Sequence, residues 1–376
     1  MEVPLARPDI TEKEIAAVVE VLRTPYLSLG PKLEEFERRL AAYVGVKHGV
    51  ATNSGTSALH LIIKALGISE GDEVITTPFS FIASANCILF ERARPVFVDI
   101  DPRTLNIDPG RIEAAITPKT KAILAVDVFG QPADWDRLEG IARRHSLLLI
   151  EDSAEALGAE YKGRKAGSFG EAAVFGFYPN KQITTGEGGM ILTDNDGLAR
   201  LCRSLRNQGR GVARHEGQGW HQHERLGYNY RLSELNCALG LAQLERLEEI
   251  LEKRERVAQM YNDRLRDIDG VESPYISPDV RMSWFVYVVR LSEEYSPEDR
   301  DRMLQGLKAR GIGCSNYFPP IHLQPVYREL GYREGDFPVT ERVAARTIAL
   351  PFHNNLTERE VDYVVRSLKE LLSGLR

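Results

Sequence analysis

Two apolar runs in the stretch KAILAVDVFGQPADWDRLEGIARRHSLLLIED, residues 121–152, indicate the fold. Residues 121–129 and 146–152 are apolar on both faces, and a segment long enough for a helix separates them. Such strands are typical of parallel sheets that helices cover on both sides. The alternation extends from about residue 46 to 195, with further strand candidates KHGVAT (47–52), DEVITT (72–77), RPVFVDI (94–100), AAVFGFY (172–178) and GMILTD (189–194). The sequence therefore predicts an α/β fold with a mostly parallel sheet.

The length of 376 residues predicts a second domain, because one ordinary core does not grow this large. We assign residues 1–250 to a large domain and residues 251–376 to a smaller C-terminal α/β domain. Leucines at three-to-four spacing predict a long helix from about 233 to 266 that links the two. The segment 201–227 has no hydrophobic period and is rich in Gly, Arg and His, so we expect most of it to be a loop.

Composition argues against several functions. The formal charge is −6, from 48 basic and 54 acidic residues, and there is no basic arm for nucleic-acid phosphates. The pair His221 and His223 lacks further ligands at a recognised spacing, so no metal site is predicted. No apolar run approaches the ~20 residues of a membrane span, and the stretch MEVPLARPDITEKEI (1–15) lacks the basic segment and apolar core typical of a secretory signal. We expect a cytoplasmic protein with no nucleic-acid or membrane partner.

Three strand exits are candidate sites, since ligands of such sheets bind beyond the carboxyl ends of the strands. In ATNSGTSALHLIIKAL (51–66) a polar loop enters a helix, where backbone N–H groups and the hydroxyl of Thr56 suit an anion. A simple helix cap is the alternative. Asp152 ends the most apolar strand and needs a partner there, although an N-cap would also place an Asp at this point.

The third exit is VFGFYPNKQITTGEGGM (174–190), where Lys181 follows an apolar run. A lysine beside a dry strand end becomes nucleophilic as the neutral amine, although a surface lysine is the common alternative. The anion seat at the start of the helix in 51–66, the carboxylate of Asp152 and the amine of Lys181 together match what pyridoxal phosphate requires. The glycine motifs of ATP-binding and dinucleotide-binding sites do not occur in the sequence.

Motifs along nearly the whole chain resemble the DegT/DnrJ/EryC1/StrS sugar aminotransferases of fold type I, which use pyridoxal 5′-phosphate (PLP). They are GPKLEEFERRLAAYVGVKHGVATNSGTSAL, GDEVITTPFSFIASANCILF, PVFVDIDPRTLNID, EDSAEALGA, NKQITTGEGGM, ERLGYNYRLSELNCALGLAQL and YFPPIHLQPVY. The resemblance implies that the large domain binds PLP. It also implies that Lys181 forms the Schiff base and moves the proton, that Asp152 keeps the pyridine nitrogen protonated, and that Phe81 stacks on the ring.

By the same resemblance Gly55 and Thr56 form the phosphate-binding turn, and Asn229 reaches the phosphate of a neighbouring subunit. A homodimer with two shared active sites is therefore expected. The chain departs from many members at two positions. Gly176 replaces a serine that donates to the phosphate, and Glu155 replaces a Gln or His that donates to the phenolic oxygen of the cofactor. An ionised glutamate only accepts, so Glu155 is protonated, points to the substrate amine, or is a variant of part of the family.

Four residues are candidates for substrate binding. Arg210 and Arg214 lie in the polar loop, where guanidinium groups suit the diphosphate of a nucleotide sugar, unless the loop is simply a solvated basic segment. Tyr317 and His322 match a family segment that lines the sugar-nucleotide cleft, with packing in a Pro-rich turn as the alternative.

The resemblance implies a ping-pong aminotransferase that takes nitrogen from an amino acid, with L-glutamate as the expected donor, and delivers it to a nucleotide-linked keto-deoxysugar. The alternatives are a PLP-dependent nucleotide-sugar dehydratase and a non-catalytic regulatory protein of the same fold. The resembling dehydratases that end in deoxygenation have His at the position of Lys181, which argues against the first.

Overall fold

The computed structural model describes residues 1–211 and 222–375. Its helices are α1 Glu12–Leu22, α2 Pro31–Val44, α3 Gly55–Ala65, α4 Ala83–Phe90, α5 Pro109–Ile112, α6 Trp135–His145, α7 Asp196–Arg206, α8 Glu234–Glu245, α9 Leu247–Leu265, α10 Pro297–Ala309, α11 Pro325–Arg328, α12 Pro338–Ala344 and α13 Glu358–Ser373. Its strands are β1 His48–Thr52, β2 Glu73–Thr76, β3 Arg94–Phe97, β4 Thr120–Val126, β5 Leu148–Asp152, β6 Glu160–Tyr161, β7 Arg164–Lys165, β8 Ala172–Gly176, β9 Gly189–Thr193, β10 Val271–Glu272, β11 Val280–Arg281, β12 Tyr287–Leu291 and β13 Thr347–Leu350.

A seven-stranded sheet in the order β1-β9-β8-β5-β4-β2-β3 forms the centre of the molecule. Only β9 runs against its neighbours, and the pairs β8-β5, β5-β4, β4-β2 and β2-β3 are parallel. The predicted mostly parallel α/β fold is therefore confirmed. Because β1, β4, β5 and β8 run in one direction, their carboxyl ends meet at one edge of the sheet.

Both faces of the sheet are buried, which explains why its strands are apolar throughout. Val174 of β8 belongs to the core that contains helix α3, whereas the next residue, Phe175, belongs to the core that contains α2. Successive side chains of a strand point to opposite faces, so a strand covered on both sides needs apolar residues at consecutive positions. The central sheet is therefore a layer between two layers of helices.

A second sheet, in the order β10-β12-β13, packs with α9, α10 and α13 in a separate hydrophobic core. Val3 at the start of the chain joins this core and pairs with Ile312. The first residues thus pack on the C-terminal unit, and the boundary at residue 250 stays a prediction. A small third sheet, β11-β6-β7, connects the segment before β12 to the large unit.

The single helix predicted from 233 to 266 is wrong, because the structure has α8 and α9 with a break at Arg246. Arg246 has φ −104° and ψ 7°, and its buried guanidinium binds Glu14 at 2.9 Å and Asp9 at 3.2 Å. The predicted loop from residue 201 begins later, since α7 continues to Arg206. Within the described ranges no helix is both long and apolar enough to cross a membrane.

Candidate active site

A cavity of about 720 Å³ opens at the edge of the central sheet where β1, β5 and β8 end. Six of the seven residues that the sequence assigned to the cofactor line it, namely Gly55, Thr56, Phe81, Asp152, Glu155 and Lys181. They come from separate segments of the chain, and the register of the sheet brings them together. Gly176 lies in the same wall.

One wall of the cavity is the N-terminus of α3. Ser54 is the cap of this helix, and its Oγ accepts from the backbone N–H of Ser57 at 3.0 Å. Because Ser54 performs the capping, the hydroxyl of Thr56 is not needed for it. A helix leaves its first N–H groups without intrahelical partners, and those of Gly55 and Thr56 remain beside the cavity. This wall suits an anion such as a phosphate.

Glycines allow the start of α3 to approach the sheet closely. A Cβ at Gly189 would lie 2.5 Å from the carbonyl oxygen of Ser54, so any larger residue would push the helix away. A Cβ at Gly55 would lie 3.5 Å from the Cα of Gly176, at the end of β8. The anion seat therefore lies directly against the strand that precedes Lys181.

Asp152 lies at the end of β5 and is almost fully buried. Its Oδ2 accepts from Ser84 Oγ at 2.7 Å and its Oδ1 from the backbone N–H of Ala154 at 3.2 Å. Burial raises the pKa of Asp152, while the bond from Ser84 and the charge of Lys181 oppose that rise. Among the described residues no lysine or arginine forms an ion pair with this carboxylate. It therefore suits a cationic ligand atom such as a protonated ring nitrogen.

Lys181 projects its amine between an acid and a ring. Its Nζ lies 3.4 Å from Glu155 Oε1 and 3.9 Å from the centroid of the Phe285 ring. The other oxygen of Glu155 accepts from the backbone N–H of Phe129 at 2.9 Å. Burial raises the pKa of Glu155, and the charge of Lys181 opposes that rise. The carboxyl group of Glu155 and the ring of Phe285 therefore hold the amine of Lys181 at the cavity wall.

The predicted substrate residues occupy different environments. Tyr317 lines the cavity, where burial raises the pKa of its phenol. His322 is 0% exposed, binds Glu341 through Nε2 at 2.9 Å, and is not part of the cavity wall, which fits the packing alternative. Arg210 pairs with His223 outside the cavity, and Arg214 and His221 lie outside the described residues.

Two further predicted residues are exposed in the isolated chain. Phe81 is 59% exposed at the cavity, and Asn229 is exposed and pairs with Asn207 outside it. Sequence reasoning missed Ser84, the partner of Asp152, and Phe285, the ring beside Lys181. Ser84 lies inside α4 and Phe285 lies just before β12, so neither directly follows a strand of the central sheet, and the strand-exit argument did not indicate them.

Comparison with known proteins gives a consistent result. A family model described as the DegT/DnrJ/EryC1/StrS aminotransferase family matches residues 8–369. The chain is 43% identical to GDP-perosamine synthase from Caulobacter vibrioides over 98% of both chains. It is 41% identical to the spore coat polysaccharide biosynthesis protein SpsC of Bacillus subtilis, over 99% of this chain and 97% of SpsC. A putative sugar aminotransferase from Streptococcus pneumoniae, solved in its PMP form, superposes with a TM-score of 0.95 at 30% identity over 100% of both chains.

Proposed function

The chain belongs to the DegT/DnrJ/EryC1/StrS aminotransferase family and is a PLP-dependent sugar aminotransferase, and we propose that it transfers the amino group of L-glutamate to the keto group of a nucleotide-linked deoxysugar. The observation that carries the proposal is the convergence of Lys181, Asp152 and the start of α3 on one cavity. The relative named GDP-perosamine synthase supports a sugar bound to a nucleotide as the acceptor.

When bound, pyridoxal phosphate supplies an aldehyde that takes up the amino group and a ring that accepts the electrons released at the substrate carbon. The start of α3 would hold its phosphate through the N–H groups of Gly55 and Thr56, which line the cavity. Asp152 would hold the proton on the ring nitrogen, because a buried carboxylate without an ion-pair partner among the described residues is stabilised by a positive charge beside it. Phe81, which is exposed at the cavity, would stack on the ring.

Lys181 serves as the base and the acid in both half-reactions, since its amine is the basic nitrogen at the cavity wall. Glu155 and the ring of Phe285 fix the direction of this amine. The carboxylate of Glu155 faces Lys181 rather than open solvent, so it also limits the approach of water. Tyr317, in the same wall, is the proposed contact for the sugar. Arg210 stays a proposed contact for the diphosphate, and Arg214, the other candidate, lies outside the described residues.

The active enzyme is a homodimer with two shared sites. Asn229 is exposed and lies outside the cavity of its own chain, which leaves it available to a second copy. The exposed ring of Phe81 beside the cavity is a surface that a second copy would cover. A residue from each chain then completes each site.

The test is a visible absorption spectrum of the purified protein, followed by L-glutamate alone and then by a panel of nucleotide ketosugars. We expect glutamate to remove the band of the bound cofactor and one ketosugar to restore it. Lys181→Ala should abolish both changes, whereas Lys369→Ala, at an exposed position of α13, should change neither. Normal turnover of Lys181→Ala would refute the proposal. A bound cofactor that glutamate leaves unchanged would favour another donor, a dehydratase or a regulatory protein.

A further inference from the structure

Arg254 of α9 forms a junction of four segments beneath the cavity. Its side chain is buried, at 3% exposure. Nε donates to the carbonyl oxygen of Trp284 at 2.7 Å, and Nη2 donates to the carbonyl oxygens of Phe285 at 2.9 Å and Asn180 at 3.3 Å. Nη1 donates to Oδ1 of Asn354 at 2.6 Å. Three of the four acceptors are backbone atoms, so these bonds fix the course of the chain itself.

The guanidinium has no carboxylate partner among the described residues, although a buried charge is costly without one. Burial lowers the pKa of Arg254 to about 10, which still leaves the side chain charged at neutral pH. A planar fork of donors can hold several oxygens in one fixed geometry, and a lysine cannot reproduce this. The contacts of Arg254 therefore point to precise placement of these segments rather than to charge pairing.

Two of the four acceptors lie next to the reacting amine. Asn180 immediately precedes Lys181, so its carbonyl fixes the peptide that carries the lysine. Phe285 places its ring 3.9 Å from Lys181 Nζ, and its carbonyl is bound to the same guanidinium. One side chain thus fixes both the segment that bears the amine and the segment that bears the ring against it.

A second link joins the same two segments from the other side. Gln182 is buried, and its Nε2 donates to the carbonyl oxygen of Ser283 at 3.1 Å and to that of Glu155 at 2.6 Å. The residues on both sides of Lys181 are therefore tied to the segment 283–285. With Arg254 absent, the hydrogen bonds of Gln182 would be the only ones left between these two segments in the described part of the chain, beside the contact of Lys181 with the Phe285 ring.

We propose that Arg254 is a positioning residue for aminotransfer, which holds Lys181 against Phe285 and so sets the direction of the amine in the cavity. The inference rests on the proposed role of Lys181 as the base. It differs from a purely structural role, because Arg254 acts on the orientation of one reacting group and not only on the stability of the fold. A misplacement of about 1 Å at such a group can lower a rate about a hundredfold.

The experiment compares Arg254→Met and Arg254→Lys with the unmodified holoenzyme. The first readout is the visible circular dichroism of the bound cofactor divided by its absorbance, a ratio that reports orientation and does not depend on the folded fraction. The second is the separation of kcat from KM for the ketosugar. We expect Arg254→Met to change the ratio and to lower kcat about a hundredfold, while KM stays within about twofold of its original value. The values for Arg254→Lys should lie between those of Arg254→Met and the unmodified enzyme.

The matched control is Arg300→Met, which removes a buried arginine that donates to the carbonyl of Ala344 at 2.8 Å, away from the cavity wall. This variant should keep the ratio and kcat. An unchanged ratio and kcat in a folded Arg254→Met, or equal effects from Arg300→Met, would overturn the inference. Should Arg254→Met fail to fold, the same readouts on Arg254→Lys decide. An active Lys181→Ala would instead refute the proposed function, whatever the Arg254 variants do.

Discussion

Gly176→Ser is expected to tighten cofactor binding, because it restores a hydroxyl at the seat of the phosphate. A Cβ at this position would lie 3.5 Å from Ala154 Cβ and 3.6 Å from the Ala154 carbonyl oxygen, which are ordinary contacts. The start of α3 lies against the same point, since a Cβ at Gly55 would be 3.5 Å from Gly176 Cα. The added Cβ therefore fits without moving the helix, and a serine would add its hydroxyl at this point beside the anion seat.

The size of the effect follows from the hydrogen bond gained. A bond to a charged acceptor contributes about 1.5–3 kcal/mol, of which the lower end applies to a phosphate that already has other donors. About 1.4 kcal/mol corresponds to a tenfold change in a dissociation constant. Replacing a glycine also reduces the entropy of the unfolded chain, by about 0.4–1 kcal/mol. That contribution leaves the binding constant unchanged, since cofactor-free and bound protein are both folded.

The assay is a titration of cofactor-free protein with pyridoxal phosphate, followed by absorbance. Gly176→Ala is the matched control, because it adds the Cβ with its contacts to Ala154 and no donor. We expect a dissociation constant about tenfold lower for Gly176→Ser than for Gly176→Ala. Equal constants for the two variants would show that the end of β8 does not face the phosphate, and would refute the placement of the seat.

Three further predictions concern the buried carboxyl of Asp127, which shares the hydroxyl of Ser153 with Glu151, the substrate wall, and the dimer. Burial raises the pKa of Asp127 to about 6, above its usual 3.8, so its ionisation destabilises the fold as pH rises through this range. Asp127→Asn should raise the free energy of unfolding at pH 8 by up to about 3 kcal/mol, measured by urea unfolding, and should change it little at pH 4. An equal stabilisation at pH 8 and pH 4 would show that the effect does not come from the ionisation of Asp127. Tyr317→Phe should raise KM for the ketosugar about fivefold, whereas His322→Asn should lower the melting temperature and leave KM unchanged; the reverse would place His322 at the substrate. Asn229→Ala should weaken cofactor binding, and at a cofactor concentration where it is inactive, mixing it with Lys181→Ala subunits should restore about a quarter of the activity, because half of the dimers regain one intact site; no recovery would contradict shared sites.

The sequence predicted the sheet well because its signal is local. Each of the seven strand candidates overlaps a strand of the central sheet. A strand that is buried on both faces needs apolar residues at consecutive positions, and this pattern is visible in the sequence. The break at Arg246 was not predictable in this way. Leucines continue across it at helical spacing, and the partners that fix the arginine, Asp9 and Glu14, lie more than 200 residues earlier in the chain.

The candidate site was predictable to the extent that its residues follow strands. Lys181 and Asp152 stand at strand exits, and parallel strands bring such positions to one edge. Ser84 and Phe285 reach the site from a helix and from the segment before β12, so no local pattern connected them to it. Arg254 lies in a helix, and the hydrophobic pattern of a helix predicts only whether a residue is buried or exposed. Its four oxygen partners are known from the tertiary structure alone.

Glu151 and Asp152 are adjacent acids at the end of β5, and the face of the sheet to which each side chain points determines its role. Successive side chains point to opposite faces, so Asp152 enters the cavity while Glu151 enters the layer beneath the sheet. There Glu151 accepts from the backbone N–H groups of Gly167 and Phe169 at 2.7 and 2.8 Å. It also shares Ser153 with Asp127, and burial together with that second carboxyl raises its pKa well above the usual value. Glu151 therefore fixes the turn before β8, the strand that leads to the lysine, while Asp152 faces the ligand.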